Sequence, residues 1–311
     1  MSRRTALLLG AALTVGVLTG CSTAPSADCI VTPTGSAIDA IKVTYDASGV
    51  PTLDYPVPFS SPGLEVRVLE EGDGPVVSAG TFVRVKLAGY LGANDAALGA
   101  LGMAGYDGDE LLGMSVDPTV SAFAPAMACA REGERRLISM PVSSLPENID
   151  TVGLEDTDNL IYLIEVERVY KQKADGAPVW VTDSGLPTVI TAPDGTPGIS
   201  VPKTDAPTEL KIVNLKAGNG DVVTENSQVT LQYSLMVWGD KTIRETSWDD
   251  AQPVTFSPSN MISGFKQALV GQKVGSQVLA VVPPSEGYGN SEGHALQNST
   301  LIFVIDILGI D

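Results

Sequence analysis

Two halves of this chain repeat each other in order and at matched distances, which constrains the fold more than any single motif. GVPTLDYP at Gly49 to Pro56 parallels GTPGISVP at Gly195 to Pro202, and LEEGDGPVVSAG at Leu69 to Gly80 parallels LKAGNGDVVTEN at Leu215 to Asn226. The spacing is constant across both pairs. Farther on, VSAFAPAMACAREG at Val120 to Gly133 matches ISGFKQALVGQKVG at Ile262 to Gly275, so that Phe123 corresponds to Phe265 and Met127 to Leu269. LIYLIEVERV at Leu160 to Val169 matches LIFVIDILGI at Leu301 to Ile310, which sets Tyr162 opposite Phe303. Solenoid units are shorter than this and cannot bury a core alone, so the period indicates two duplicated domains. A chain of 311 residues with 43% hydrophobic side chains has room for both.

Within each copy the apolar pattern changes period. Ile262, Phe265 and Leu269 fall at helical spacing, and packing of one helix face against a core accounts for them. Val229, Leu231 and Tyr233 alternate as one face of a strand, as do Leu301, Phe303, Ile305 and Ile307. Strands around one short helix predict an antiparallel α+β domain. The polar stretch from Gln172 to Thr191, with its Gly and Pro, reads as a short linker followed by a second lead-in strand. The expected division is 1–20 as a leader, 21–38 as a tether, 39–176 as the first domain and 177–311 as the second.

The leader reading rests on Ser2, Arg3 and Arg4 followed by an apolar run from Ala6 to Leu18, too short for a comfortable membrane span. Arg3 and Arg4 also fit a twin-arginine signal, although Thr5 and Ala6 do not strengthen that reading. Leu18, Thr19, Gly20 and Cys21 resemble a bacterial lipobox, in which Cys21 would carry lipid as the first mature residue. The expected location is the cell membrane, lipid-anchored and facing outside the cytoplasm. Residues 21 to 38 are rich in Ser, Thr, Pro and Ala, as suits a flexible tether. Cys29 and Cys129 remain, and in an oxidising compartment a disulfide and two separate thiols are equally open.

A net charge of −18 and a pI near 4.3 argue against nucleic-acid binding, which needs a cationic face. His294 is the lone histidine, and no Cys or carboxylate cluster has ligand spacing, so no metal site or cofactor is expected. No GxSxG elbow accompanies Ser285 and Glu286, which argues against a hydrolase triad.

The stretch from Met261 to Gly289, MISGFKQALVGQKVGSQVLAVVPPSEGYG, resembles the signature of the FKBP-type peptidyl-prolyl cis-trans isomerases. The resemblance implies two FKBP-like domains, each an antiparallel β-sheet wrapped around a short α-helix. It also implies a proline pocket in the second copy built from Tyr233, Ile262, Phe265, Tyr288 and Phe303, with Met261 along its edge. Glu245, Thr246, Ser247 and Trp248 align with the family's Phe-Asp-Ser-Ser-Trp stretch, Glu245 replacing the acid. Phe265 stands where the family most often has tryptophan, and Val254 where a pocket phenylalanine is usual. Arg244 takes the position of the phenylalanine before the acid, where a cation would be unfavourable in a dry pocket. It is expected to swing outward as a solvated ion pair, or to pair with Glu245 and meet an acidic substrate. The family's Ile-Pro-Pro run is replaced by His294, Ala295, Leu296 and Gln297, which makes His294 either a rim contact or an exposed loop residue.

The first copy diverges farther. Leu87 matches Tyr233, Pro146 lies near the position of Tyr288, Arg135 and Arg136 replace Gln277 and Val278, and Ala88 to Gly105 is rich in Gly and Ala. It is expected to fold but to catalyse poorly. The resemblance therefore implies an exported, lipid-anchored isomerase whose second domain acts on proline-containing peptides or unfolded exported proteins. The alternatives are a non-catalytic binding or chaperone module using the same groove, and a purely structural surface lipoprotein.

Overall fold

A computed structural model describes residues 35–93, 102–106, 108–119, 121–145, 153–240, 242–249 and 252–311. The leader, Cys21, Cys29 and Pro146 lie outside the described residues. The first copy comprises β1 (Lys42–Tyr45), β2 (Pro51–Asp54), β3 (Glu65–Glu70), β4 (Thr81–Leu91), β5 (Met103–Ala104), β6 (Leu112–Val116), α1 (Ala124–Met127), β7 (Arg135–Pro141) and β8 (Asn159–Val169). The second comprises β9 (Ala177–Pro178), β10 (Thr188–Thr191), β11 (Pro197–Ser200), β12 (Lys211–Ala217), β13 (Val229–Val237), β14 (Glu245–Thr246), β15 (Val254–Phe256), α2 (Ser263–Leu269), β16 (Gln277–Val282) and β17 (Leu301–Ile310).

The two main sheets share one strand order. In the first it runs β3-β7-β8-β4, with β5 and β6 both pairing with β4; in the second β12-β16-β17-β13, with β14 and β15 both pairing with β13. Every one of these pairings is antiparallel. Even the irregularities recur: the register slips between Val68 and Glu70 in β3 and between Asn214 and Lys216 in β12. It slips again between Arg84 and Val85 in β4 and between Thr230 and Leu231 in β13. A bulge re-aims a strand at one residue, so its recurrence at matching positions marks the copies as one fold.

Inward-facing Val229, Leu231, Tyr233 and Leu235 of β13 and Leu301, Phe303, Ile305 and Ile307 of β17 close around α2, where Phe265, Ala268 and Leu269 are buried. The other face of the sheet is covered too. The hairpin β10–β11 lays Val189 and Ile199 over Met236, Leu279, Val281, Ile302 and Val304. In the first copy Leu53 of the β1–β2 hairpin packs with Ala88, Leu137, Ile161 and Leu163. Each copy is thus a hairpin, a sheet and a helix in three layers, which explains why β17 reads LIFVIDILGI as a nearly unbroken apolar run.

The hairpin layer corrects the expected tether. Ile38 is fully buried with Ile41 under the first hairpin, and its amide donates to Glu65 Oε2 at 2.9 Å. A single isoleucine at the end of a polar stretch carries no periodic signal, which is why Ile38 falls in the expected tether while Ile41 falls in the first domain. Cys129 differs as well. It lies beyond the end of α1 with φ 62°, at the position where the second copy has Gly271 with φ 86°. A non-glycine residue is uncommon in that left-handed region. Cys129 is disulfide-bonded.

Arg136 points inward at the position of Val278 and is buried. It pairs with Glu134 and donates through Nη1 to the carbonyls of Ala126 at 2.6 Å and Ala128 at 3.0 Å, at the C-terminal end of α1. A buried cation is tolerable when paired and hydrogen-bonded in this way. The chain passes from one sheet to the other at Tyr170 and Lys171: the Tyr170 amide donates to Phe82 O, and the Lys171 amide to Leu308 O. Side chains reinforce the junction. Tyr170 Oη donates to Asp311 Oδ1 at 2.6 Å, Arg84 reaches Asp311 Oδ2 at 3.3 Å, and Arg84 Nη2 donates to Thr255 Oγ1 at 3.4 Å.

The Tyr170 ring lies so close over β17 that a Cβ built on Gly309 would stand 2.5 Å from Cδ1. Gly309→Ala is therefore expected to cost about 1–3 kcal/mol, the usual range for overpacking, and Tyr170→Ala in the same chain to recover part of it. Equal urea midpoints for Gly309→Ala and the parent would refute the close contact. Peptide mapping without reductant should find Cys129 in a cross-linked peptide, and a free Cys129 thiol in the oxidised protein would contradict the bond.

Candidate active site

The site in the second copy grows from three facing elements. β13 and β17 pair Tyr233 with Ile305 and Leu235 with Phe303, which aligns the two aromatic side chains along the concave face. α2 then drops Phe265 between them. Its ring meets Phe303 edge-on at 5.0 Å and 82°, and Tyr233 at 6.3 Å and 86°. Edge-to-face geometry of this kind adds to area burial. Phe265 is 1% exposed, Phe303 5% and Tyr233 8%, so the three make an aromatic floor.

A fourth ring belongs to that floor and is not among the residues expected there. Phe256 lies 6.0 Å from Tyr233 and 6.1 Å from Phe265. It sits two residues after Val254 on β15, hence on the same strand face. The alternation Val254, Thr255, Phe256 carries the signal. An aromatic ring absent at 254 is present one pleat later.

Half-buried Met261, Ile262, Val254, Tyr288 and Leu296 pack against this core and form an apolar rim. Ile262 caps α2 in extended backbone rather than lying on the helix, and its amide donates to no backbone carbonyl among the described residues. Gly264 lets the first turn approach β16, where a Cβ would meet Val282 at 2.4 Å. The loop carrying Tyr288 is fastened to α2 through Glu286, whose Oε2 accepts from Ser263 Oγ at 2.5 Å and from Gln267 Nε2 at 3.0 Å. In the sequence this role of Glu286 is marked only by its place beside the signature Gly-Tyr-Gly.

His294 is exposed, and its ring stacks on Tyr288 at 3.9 Å and 13°. The Leu296 amide donates to His294 Nδ1 at 3.1 Å, and Gln297 Nε2 donates to Gly289 O at 3.3 Å. The segment from 294 to 297 thus folds back and props the tyrosine.

Tyr233 Oη donates to Glu245 Oε1 in a short hydrogen bond. Burial, followed by that bond and the neighbouring Glu245 charge, pushes the phenol well above its usual 10. Strand β14 holds the acid in place: the Tyr233 amide donates to Ser247 Oγ at 2.9 Å, and Ser247 N to Tyr233 O at 3.0 Å. Arg244 does not join Glu245. It precedes β14, is exposed, and pairs instead with Asp240 at 2.8 Å.

Trp248 also lies apart from the aromatic floor. A Cβ on Gly195 would stand 2.5 Å from its ring, which places the indole against the turn of the β10–β11 hairpin. The first copy presents Phe123 edge-on to Tyr162 at 4.8 Å, but Leu87 and Met114 replace the other rings. Among the described residues no group of three His, Cys, Asp or Glu side chains is placed to hold a metal.

The family model for FKBP-type peptidyl-prolyl cis-trans isomerases matches residues 220–308, which contain the whole of this aromatic floor. A probable FK506-binding protein of Corynebacterium glutamicum is 30% identical over 113 residues, spanning 36% of this chain and 96% of the relative. An FK506-binding protein of Streptomyces anulatus is 27% identical over 119 residues, 37% of this chain and 96% of that one. The peptidyl-prolyl cis-trans isomerase Mip of Coxiella burnetii is 32% identical over 98 residues, 31% of this chain and 42% of its own length. The chain belongs to the FKBP-type peptidyl-prolyl cis-trans isomerases, and its enzyme class is that of the family.

The raised Tyr233 phenol has a sign that can be checked. Folding favours the neutral form, so its contribution is fully present below pH 10 and is lost as pH rises beyond that value. Thermal midpoints of the parent should fall more steeply above pH 10 than those of Tyr233→Phe. Parallel curves would mean that Tyr233 does not titrate as its burial and Glu245 require.

Proposed function

We propose that this protein is an exported, lipid-anchored peptidyl-prolyl isomerase whose second copy acts on X-Pro bonds of proteins folding outside the cytoplasm. The observation that carries the reading is the asymmetry of the copies. One packs Tyr233, Phe256 and Phe303 around Phe265 with Tyr288 at the rim, and the other has Leu87 and Met114 in that floor.

Rotation about an X-Pro bond is slow because twisting the amide breaks its resonance, against a barrier of about 18–20 kcal/mol. Catalysis needs a site that binds the twisted bond better than either planar form. Here the rings of Tyr233, Phe265 and Phe303 would hold the proline ring in a dry floor, and Tyr288 would close over it. Excluding water favours the twisted amide, which has lost charge separation. The Ile262 amide would donate to a substrate carbonyl, fixing the chain on one side while the other side rotates. Glu245 orients the Tyr233 hydroxyl and leaves the ring face to the substrate. No nucleophile is required.

Export is supported by the charged and apolar leader and by a disulfide at Cys129, which suits an oxidising compartment. With lipid on Cys21, Cys29 is the cysteine left to bond Cys129. The membrane contact is the lipid, and the partners are proline-containing or unfolded exported chains.

In the full mature chain, Phe265→Ala and Tyr288→Ala should each lower kcat/KM for a proline peptide by about tenfold or more, equivalent to about 1.4 kcal/mol of transition-state binding. Phe123→Ala, the matching change in the first copy, should leave the rate within about twofold, near the assay's resolution on that free-energy scale. Tyr288 is half-buried, so its variant reports on catalysis even if Phe265→Ala unfolds. A parent rate equal to buffer, combined with slowed aggregation of an unfolded client, would replace the enzyme by a binding module. Fatty-acid labelling should mark the parent and not Cys21→Ala.

A further inference from the structure

The first copy has lost the aromatic floor, yet one of its loops reaches the second copy's site. A cavity of about 710 Å³ opens directly beside Tyr233, and its walls include Glu245, Asp249 and Val254 from the second copy and Asp117 and Thr119 from the first. Tyr233 belongs both to this wall and to the aromatic floor, so the cavity continues the proposed proline site toward the first copy. A peptide whose proline occupies the floor has to leave along its rim, and this cavity is an opening there that could receive the flanking residues.

The walls are one-sided in charge. Asp117, Glu245 and Asp249 line the cavity, and no Lys or Arg among the described residues does. Arg84 and Arg244 are already committed elsewhere: Arg84 to Asp311 and Thr255, and Arg244 to Asp240. Asp117 is held in its ionised form by the Thr119 hydroxyl, at 2.6 Å, and by the Thr119 amide, at 2.8 Å, which draw its carboxyl below the usual range. The loop after β6 is thereby fixed with its charge in place.

We infer that the first copy serves as the specificity wall of the second: the cavity between Asp117 and Glu245 takes the residue flanking the substrate proline and selects Lys or Arg there over Asp or Glu. This rests on the second copy being the isomerase site. Continuity with Tyr233 makes the cavity a substrate path, and the three carboxylates decide which side chain it favours. A like charge placed there is repelled, while a cation gains the attraction without displacing an existing ion pair. The wall is a binding and positioning device and touches no bond that rotates.

The test uses the full mature chain and peptides with Lys, Ala or Glu beside the proline, read by exchange NMR for isomerisation and by fluorescence polarisation for binding. The Lys peptide should exceed the Glu peptide by about fivefold or more at about 10 mM salt, and the ratio should approach one at about 1 M, where charges are screened within a few ångströms. Asp117→Asn and Asp249→Asn should each lower the low-salt ratio by about half or more, as expected for a steering charge. Asp54→Asn removes an exposed acid outside the cavity and should leave it unchanged.

A parent ratio near one, or an equal ratio in Asp117→Asn and Asp54→Asn, would overturn the inference. Turnover of the Ala peptide judges the isomerase reading separately. If no peptide is turned over, the binding ratio still decides the charge preference: a preference lost in Asp117→Asn upholds the wall, and its absence sinks it.

Discussion

The contact between Phe265 and Phe303 is the one on which the second copy depends. α2 has seven residues and cannot hold itself together in water, because a helix that short has barely recovered its nucleation cost. What keeps it helical is the burial of one face against a curved sheet, and the largest group on that face is Phe265. Its ring stands edge-on to Phe303 of β17 and to Tyr233 of β13, while Gly264 lets the backbone close on Val282. The interaction that seats the helix therefore also makes the floor of the site.

Covering the sheet on both faces has consequences for polar groups. The last strand carries a buried acid at matching places, Glu165 in β8 and Asp306 in β17. Glu165 gathers Tyr45, Tyr106, Lys86 and Arg135. Asp306 accepts instead from the Ala174 amide at 2.8 Å and from Gln277 Nε2 at 2.7 Å, and burial pushes its carboxyl up. One copy satisfies the buried acid with cations and phenols, the other with neutral donors including the connecting chain. The copies diverged at their polar networks while the apolar scaffold and its bulges stayed matched.

Much of this architecture is legible in the amino-acid sequence. The repeat, the antiparallel α+β class and the inward-facing rings of Tyr233, Phe265 and Phe303 follow from periodicity and internal comparison. The residues that depart from expectation share a cause. Phe256 is invisible to a comparison of position 254 alone, whereas a pleated strand offers the next inward position as well. Trp248 is claimed by the turn at Gly195, a contact between segments far apart in the chain. Ile38 becomes core because a hairpin covers it.

The sequence by itself determined that two copies of one fold are present, which faces of their strands and helices are apolar, and which copy carries aromatic rings at Tyr233, Phe265 and Phe303 on those faces. Those properties are local or periodic, so they are written along the chain. Only the tertiary structure decided that a hairpin covers each sheet, that Glu245 takes the Tyr233 hydroxyl while Arg244 turns to Asp240, and that Asp117 of the first copy stands across a cavity from Tyr233 of the second. Each of these is a meeting of distant segments. Its geometry is set by how sheets twist and pack, and no spacing between residues encodes it.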